Sequence, residues 1–368
     1  MENEEIIFID DLEEEKNVKN EQSTKKVEQK KKKKKSLKKW VITFGIFDMI
    51  AVVCLFLMYG PFPYFRNLWV TSALTTATHE YFAYIFFDVD QVKEIMAGNV
   101  VIEGTESTDE EEIELSGKDT GVYSSIYDEQ VLKRDEGNEL YKVIDIEGNG
   151  YKGHILVVYD PSRIDLVQAP NIKYGGKQLK KLLEINEGIA GINASGFDYS
   201  EATGYVPNGI VIMDNEIVWG ADKDPAKHGG IIGFTNDNKL ILTKSNAQEA
   251  LAMGIRDAVT FGPFLIVNGV RSEFKGNGGY GVAPRTAIGQ RKDGIVLMLV
   301  IDGRRPGHSL GVDMVELTNV LEKYGAYNAA NLDGGGSSSI VVEGEILSVA
   351  GGFGYTGERY IANAFMIK

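Results

Sequence analysis

Cysteine is almost absent from this sequence, which has one such residue, Cys54, among 368. A disulfide framework and a cysteine-rich zinc site are therefore excluded. Positive charge is also scarce. The net charge is −14 and, because residues 1–39 carry an excess of two lysines, the rest of the chain is more acidic still. No nucleic-acid partner is expected, since such partners require a basic surface. The 43% of hydrophobic residues suffices for a buried core, which excludes wholesale disorder.

The N-terminal 60 residues have the pattern of a charged cytoplasmic tail followed by a transmembrane helix. Residues 1–39 are highly charged, whereas residues 40–60 contain a single charge, Asp48. A helix of about 20 apolar residues spans the hydrocarbon core, and lysines immediately before it keep the N-terminus in the cytoplasm. We expect a retained single-pass anchor in the cell membrane with an extracellular C-terminal domain; a cleaved signal peptide is the alternative. Asp48 is either functional or a carboxylate that is protonated or snorkels.

Two further segments precede the globular domain. Residues 61–98 are expected to form a juxtamembrane helix, and residues 103–119 combine acidic and small polar residues, as an exposed linker does. We therefore assign residues 61–119 to a juxtamembrane helix and acidic linker, and residues 120–368 to the globular domain. A spacer or a partner-binding stalk is the default function for residues 61–150.

Strand and turn signals dominate from Glu139 onward, which predicts a series of hairpins. Their turns are expected at Gly148–Gly150, Asp214–Asn215, Asn236–Asn238, Lys292–Gly294 and Glu343–Gly344. Two helices interrupt the series, one near 176–185 and one near 312–324, the second with Gly325 as its C-terminal cap. Consecutive hairpins with few crossover helices predict an α+β fold with a mixed, largely antiparallel sheet.

The strongest chemical signal lies at the ends of two apolar strands, each followed by Asp-Gly. Asp302 ends one strand and Asp333 ends the other, and a carboxylate at a strand end is often catalytic. Each aspartate alone is equally compatible with a simple turn former. Small residues follow Asp333, and their amides can converge into a site for an anion. These residues are Gly334, Gly335, Gly336, Ser337 and Ser338.

Cations and carboxamides complete the candidate site. Arg285 follows Pro284 at the start of a strand, Arg304 follows Asp302, and His308 lies in the same loop as Arg304. An arginine fork suits phosphate or carboxylate, although a salt bridge to Asp or Glu is the competing role for either arginine. Carboxamides both donate and accept, so they bind sugar hydroxyls well. The candidate carboxamides are Asn193, Asn208 and Asn331.

These motifs resemble the phosphodiester glycosidase domain family over residues 150–368. The resemblance follows the family's order and is most specific in the segment Asn331–Ser338. The other matching segments are Gly191–Asn193 with Gly196–Phe197, Asn208–Gly209, Gly262–Pro263, Pro284–Ala287, Asp302–Arg304, Ser309 with Gly311, Glu316–Leu317, and Arg359 with Asn363.

The resemblance implies hydrolysis of a sugar from a sugar-1-phosphodiester, in cell-surface glycans or exopolysaccharide. A phosphate leaving group needs cations and amides more than a strong acid, a role open to Arg285 and Arg304. Asp302 and Asp333, with Glu316 as a third candidate, would stabilise the oxocarbenium-like carbon or activate water. Glu316 could equally be an arginine partner. The expected partner is a carbohydrate or sugar phosphate, without cofactor or metal. A non-catalytic phosphoglycan-binding module is the alternative, and metal-dependent phosphoester chemistry ranks below both.

Overall fold

The structure is a computed structural model that describes residues 23, 25–26, 38–76, 79–104, 107–171, 175–200, 204–349 and 358–368. The predicted tail, 1–39, lies almost wholly outside the described residues. The chain divides after Arg66 into an N-terminal unit and a larger unit, Asn67–Lys368. In the N-terminal unit, one helix, Lys38–Tyr59, is apolar and long enough to cross a membrane.

The described residues contain seven α-helices and twenty-one strands. The helices are α1 (Lys38–Tyr59), α2 (Pro63–Leu74), α3 (Val89–Ala97), α4 (Ile126–Leu132), α5 (Leu179–Ile185), α6 (Ala247–Ala252) and α7 (Met314–Lys323). The strands are β1 (Val100–Ile102), β2 (Tyr141–Gly148), β3 (Tyr151–Val158), β4 (Ile164–Gln168), β5 (Ala190–Asn193), β6 (Phe197–Ser200), β7 (Gly204–Pro207), β8 (Val211–Met213), β9 (Glu216–Trp219), β10 (Ile231–Thr235), β11 (Leu240–Thr243), β12 (Ile255–Thr260), β13 (Phe264–Val267), β14 (Val270–Arg271), β15 (Glu273–Lys275), β16 (Arg285–Arg291), β17 (Val296–Ile301), β18 (Ala326–Leu332), β19 (Ile340–Val342), β20 (Glu345–Ile346) and β21 (Asn363–Ile367).

The strands form one seven-stranded sheet, two five-stranded sheets and two short ribbons. The seven-stranded sheet has the order β14-β13-β18-β16-β17-β3-β2, and the five-stranded sheets have the orders β11-β10-β12-β8-β9 and β20-β19-β5-β21-β4. The ribbons are β1-β15 and β6-β7. Every pairing among these described strands is antiparallel. The predicted α+β class and all five predicted hairpins are confirmed.

The seven-stranded sheet lies at the centre of the larger unit because both of its faces are apolar. On β17, Val296, Met298 and Val300 contact the core shared with the five-stranded sheets. The alternate residues Leu297, Leu299 and Ile301 pack into a second core, which contains α7. Each fully buried side chain of this size contributes about 1.5–3 kcal/mol relative to exposure. This two-sided burial holds the ends of the central strands rigidly.

Helix α7 covers one face of this sheet and has well-defined ends. The Asp313 side chain accepts a hydrogen bond from the Glu316 amide at 2.9 Å, which caps the first turn. Gly325 follows the last turn with a φ of 82°, as predicted for a C-terminal cap. The predicted helix near residues 312–324 is therefore confirmed.

The structure of the segment 61–119 differs from the expected juxtamembrane helix and linker. The segment 61–98 contains α2, a 3-10 turn and α3 instead of one continuous helix. In the expected linker, Ile113 is buried, and the Glu114 amide donates to the Lys292 carbonyl at 2.8 Å. Acidic side chains stay in solvent while the backbone binds the domain, a combination that composition does not reveal.

Candidate functional site

Three predicted residues lie at one edge of the seven-stranded sheet. Strand β16 starts at Arg285, and its neighbours β17 and β18 end one residue before Asp302 and Asp333. The register pairs Arg285 with Ile301 and Thr286 with Leu332. The antiparallel arrangement therefore brings Arg285, Asp302 and Asp333 to the same end of three adjacent strands, as the sequence predicted for one shared site.

The glycine-rich loop after Asp333 packs closely against Pro284 and Arg304. The Gly335 amide donates to the Pro284 carbonyl at 2.9 Å. A β-carbon on Gly334 would lie 3.0 Å from that carbonyl oxygen, and one on Gly335 would lie 3.4 Å from a guanidinium nitrogen of Arg304. Gly335 also has a φ of 61°, in the left-handed region. The loop needs glycine to approach Arg304 this closely.

Asp302 is held in place by two hydrogen bonds to its carboxylate. It is only 2% exposed, accepts from the Val349 amide at 2.8 Å, and lies 2.7 Å from His308 Nε2. Its carbonyl oxygen accepts from the Ser309 hydroxyl, which closes the loop that carries His308. Asp302 and His308 therefore form a fixed carboxylate–imidazole pair, with the imidazole the more exposed partner.

Asp333 is at the surface of the site but has lost most of its hydration. Burial raises the pKa of its carboxyl group to about 6, against the opposing effects of Ser337, the charge of Arg359 and the Gly334 amide. Its backbone amide donates to the Ala194 carbonyl at 3.0 Å, which fixes the turn. A carboxylate with a pKa near 6 is a stronger base than an ordinary aspartate.

Arg285 is bound mainly to backbone carbonyls. It is 5% exposed, and it donates to the carbonyls of Val312, Tyr280 and Gly281 at 3.1, 2.7 and 2.6 Å. Among the described residues, no carboxylate lies within ion-pair distance of it. Burial, and to a smaller extent repulsion from Arg304, lowers the pKa of Arg285 to about 10. The guanidinium donates to the Gly281 carbonyl and is a second donor to the Val312 and Tyr280 carbonyls, which also accept from the Ala283 amide and the Thr75 hydroxyl.

Arg304 is the cation that faces the glycine loop. It has a φ of 56°, and burial lowers its pKa. Within the described part of the chain, no Asp or Glu forms an ion pair with it. Its positive charge is therefore available to an anionic ligand placed over Gly335.

The three predicted carboxamides have different surroundings. Asn193 is 1% exposed; one N–H donates to the Asp333 carbonyl at 2.6 Å, and its oxygen accepts from the Thr286 hydroxyl and the Ser339 amide at 2.8 and 3.0 Å. These bonds join the end of β5 to the segments of Thr286, Asp333 and Ser339. Asn331 donates to the Gly262 carbonyl at 2.8 Å, and its oxygen has no hydrogen-bond partner among the described residues.

Buried polar atoms that have no hydrogen-bond partner among the described residues gather around this edge. Five of them belong to the segments next to Asp333: Ser195 Oγ, Asn208 Oδ1, Asn331 Oδ1, Ser338 Oγ and Asn363 Nδ2. Their segments are in direct contact: the Ser195 amide donates to Asn363 Oδ1 at 2.8 Å, and a β-carbon on Gly196 would lie 3.6 Å from Asn208 Nδ2. Buried polar groups are normally paired, so these neutral donors and acceptors indicate a site for a hydroxyl-rich ligand.

Glu316 is bound elsewhere on α7. Its carboxylate accepts from the Tyr151 hydroxyl at 3.2 Å and from the Asn319 amide at 2.8 Å, and Lys323 Nζ lies 4.0 Å away. Tyr151 begins β3 next to Lys152, whose carbonyl accepts from the Asp302 amide at 2.9 Å, but no hydrogen bond among the described residues joins the Glu316 carboxylate itself to Asp302 or Asp333. Among the described residues, no three His, Cys, Asp or Glu side chains gather as a metal ligand set would.

Ser195, Asn363 and Arg359 belong to the site's surroundings but were not among the predicted site residues. Asn363 had a detectable signal, because it is the polar first residue of an otherwise apolar strand, β21. Ser195 gave none, since nothing in the sequence places it beside Asn363. Its position depends on the pairing of β5 with β21.

The fold and the site define an α+β domain with a polar, carboxylate-bearing ligand site at the ends of the central strands. The sequence profile of the family described as phosphodiester glycosidase matches residues 186–368. This range contains Asp302, Arg304 and Asp333. Residues 186–368 belong to the phosphodiester glycosidase family.

Two curated proteins are similar to parts of the chain, and solved structures are similar to its fold. The bovine N-acetylglucosamine-1-phosphodiester alpha-N-acetylglucosaminidase is 23% identical over 178 residues, which are 48% of this chain and 29% of that protein. An SPbeta prophage-derived protein of Bacillus subtilis (strain 168) is 42% identical over 65 residues, 18% of this chain and 10% of that protein. The chain thus spans less than a third of either relative.

A similar solved structure is the catalytic domain of the zebrafish N-acetylglucosamine-1-phosphodiester alpha-N-acetylglucosaminidase, auto-inhibited by its pro-peptide. The TM-score is 0.52 at 18% identity, over 63% of this chain and 85% of that one. At this identity the similarity establishes the fold.

Proposed function

We propose that the domain at 120–368 hydrolyses sugar-1-phosphodiesters, releasing the sugar and leaving a phosphomonoester. The observation that carries the proposal is the division of one site into two chemically distinct halves. One half contains neutral polar atoms that have no hydrogen-bond partner among the described residues, and the other contains Arg304 beside Gly335. Asp333 is two residues from Asn331 of the first half and two residues from Gly335 of the second, and membership of residues 186–368 in the phosphodiester glycosidase family supports the reaction class.

The half of the site that contains Arg304 and the glycine loop would assist departure of the phosphate leaving group. Cleavage of the C1–O bond leaves negative charge on phosphate oxygens, which are weakly basic and need no strong general acid. Arg304 and the amides of the glycine loop would stabilise that charge without rearrangement, as donors fixed in advance do. The glycines permit the close approach because they have no side chains.

Asp333 would act on the attacking water. Its pKa of about 6 leaves it mostly ionised at neutral pH yet basic enough to accept a proton from water as the oxygen bonds to C1. Asp302, fixed by the Val349 amide, would orient His308 toward the substrate and add negative potential near the oxocarbenium-like carbon.

We further propose that α1 is a retained anchor. Lysines precede this apolar helix, so the domain would lie outside the cytoplasm, where it meets cell-surface glycans or exopolysaccharide. A cleaved signal sequence would have the same helix but release the domain. Immunoblotting of membrane and soluble fractions for full-length and shortened chain distinguishes the two.

The reaction is tested by incubating the full chain, in non-ionic micelles, with a panel of sugar-1-phosphodiesters and measuring free sugar. We expect Asp333→Asn to abolish release and Asp198→Asn, at an exposed carboxylate on β6, to leave it unchanged. A phosphoglycan-binding module without activity is the competing function. It would bind panel members with equal affinity in the wild type and an Asp302/Asp333 double variant, and would release no sugar.

A further inference from the structure

Arg359 is a second cation that has no acidic partner among the described residues, and its charge acts on Asp333. Its guanidinium carbon lies 5.1 Å from the centre of the Phe197 ring, a cation–π arrangement. No Asp or Glu in the described ranges forms an ion pair with it. Other arginines of the larger unit do form such pairs, namely Arg134, Arg256, Arg271 and Arg291.

The ring that holds Arg359 belongs to the segment that fixes Asp333. Phe197 follows Gly196, and three residues earlier the Ala194 carbonyl accepts the Asp333 amide at 3.0 Å. On the other side, the Ala194 amide donates to the Asn363 carbonyl at 3.2 Å, four residues after Arg359. The positive charge of Arg359 acts on the Asp333 carboxyl group and opposes the rise in its pKa.

Arg304 approaches the same loop through different contacts. Its guanidinium lies beside Gly335, two residues beyond Asp333, and it is carried by the loop after β17. Arg359 precedes β21, a strand of a different sheet. The Arg304 guanidinium thus lies beside Gly335, the charge of Arg359 acts on the Asp333 carboxyl group, and the two arginines come from segments next to separate sheets. A phosphate with several anionic oxygens suits such a pair, because each planar fork donates to a different edge.

We propose that Arg359 binds the phosphate group of the substrate together with Arg304, while Phe197 holds the Arg359 side chain in place. This inference rests on the proposed function, since it names the second phosphate-binding residue of that site. The role was expected for Arg285, whose Nε and Nη2 donors are bound to backbone carbonyls. Arg359 is exposed and is therefore accessible to ligand.

The test measures binding of inorganic phosphate to the full chain in non-ionic micelles by titration calorimetry. A charge-assisted hydrogen bond contributes about 1.5–3 kcal/mol, so Arg359→Gln should raise the dissociation constant about 10- to 100-fold. Arg359→Lys keeps the charge and should weaken binding less. The matched control is Arg163→Gln, because Arg163 is an exposed arginine beside β4; its dissociation constant should equal that of the wild type.

The inference is overturned if phosphate does not bind the wild type, or if it binds Arg359→Gln and the wild type with equal affinity. If Arg359→Gln does not fold, Phe197→Leu replaces it: loss of the ring should weaken phosphate binding, and unchanged binding counts against the proposal. The measurement needs no turnover. A chain that binds phosphate through Arg359 but hydrolyses no phosphodiester therefore refutes only the proposed reaction, and an active chain with unchanged phosphate affinity in Arg359→Gln refutes only this inference.

Discussion

Replacement of Asp333 by asparagine should stabilise the folded chain at alkaline pH while removing its activity. Burial raises the pKa of this carboxyl group from 3.8 to about 6, so ionisation costs folding free energy. At about 1.4 kcal/mol per pKa unit this is about 3 kcal/mol. The carboxyl group is partly accessible to solvent, and screening reduces the expected effect to about 1–2 kcal/mol.

The sign of the effect follows from proton binding. Below pH 3.8 the carboxyl group is protonated in both the folded and the unfolded state, so its burial does not reduce the stability of the fold. Between 3.8 and about 6 the unfolded chain releases a proton that the folded chain retains, so stability falls as pH rises. Above about pH 6 this loss of stability is complete. Asparagine does not titrate, so the stability of Asp333→Asn relative to the wild type should increase between pH 3.8 and about 6.

Urea unfolding of the full chain in micelles, followed by tryptophan fluorescence, measures this difference at about pH 4 and about pH 8. The unfolding free energy of Asp333→Asn should exceed that of the wild type, and the difference should be about 1–2 kcal/mol larger at the higher pH. Sugar release should fall about 10²- to 10⁴-fold, as for loss of a general base. Asp198→Asn is the matched control. An Asp333→Asn advantage that does not change with pH would refute the argument from burial, and undiminished turnover would refute the assignment of Asp333 as base.

Three more substitutions separate binding from structural roles. Arg304→Gln should lower kcat/KM for a phosphodiester about 10- to 100-fold and leave the melting temperature unchanged, since Arg304 has no carboxylate partner among the described residues; a large loss of stability would contradict this. Arg285→Met should instead lower the unfolding free energy by about 1–3 kcal/mol, because the buried Gly281 carbonyl loses its donor, and urea unfolding that matches the wild type would refute it. Asn193→Ala should cost about 3 kcal/mol for three lost hydrogen bonds, also measured by urea unfolding, and a neutral result would show that water replaces the amide.

The hairpins were predictable because their signals are local. Asp214 and Asn215 have φ values of 51° and 64°, the left-handed conformations that Asp and Asn tolerate in a tight turn. The ends of α7 were predictable for the same reason, since Gly325 is the residue type that the last turn requires. The segment 103–119 was not, because its packing depends on partners such as Lys292 that are distant in sequence.

Sequence alone indicated which strand ends carry the candidate site but not the contacts of each side chain. Two Asp-Gly strand ends and a glycine-serine run predicted two carboxylates and a glycine loop where the structure has them, since a short motif determines what its own backbone can do. The partners of Arg285, Asn193 and Glu316 were decided by the tertiary structure. A guanidinium or carboxamide binds whichever acceptor the fold brings near, so only the three-dimensional structure reveals which polar groups are already paired and which remain available to a ligand.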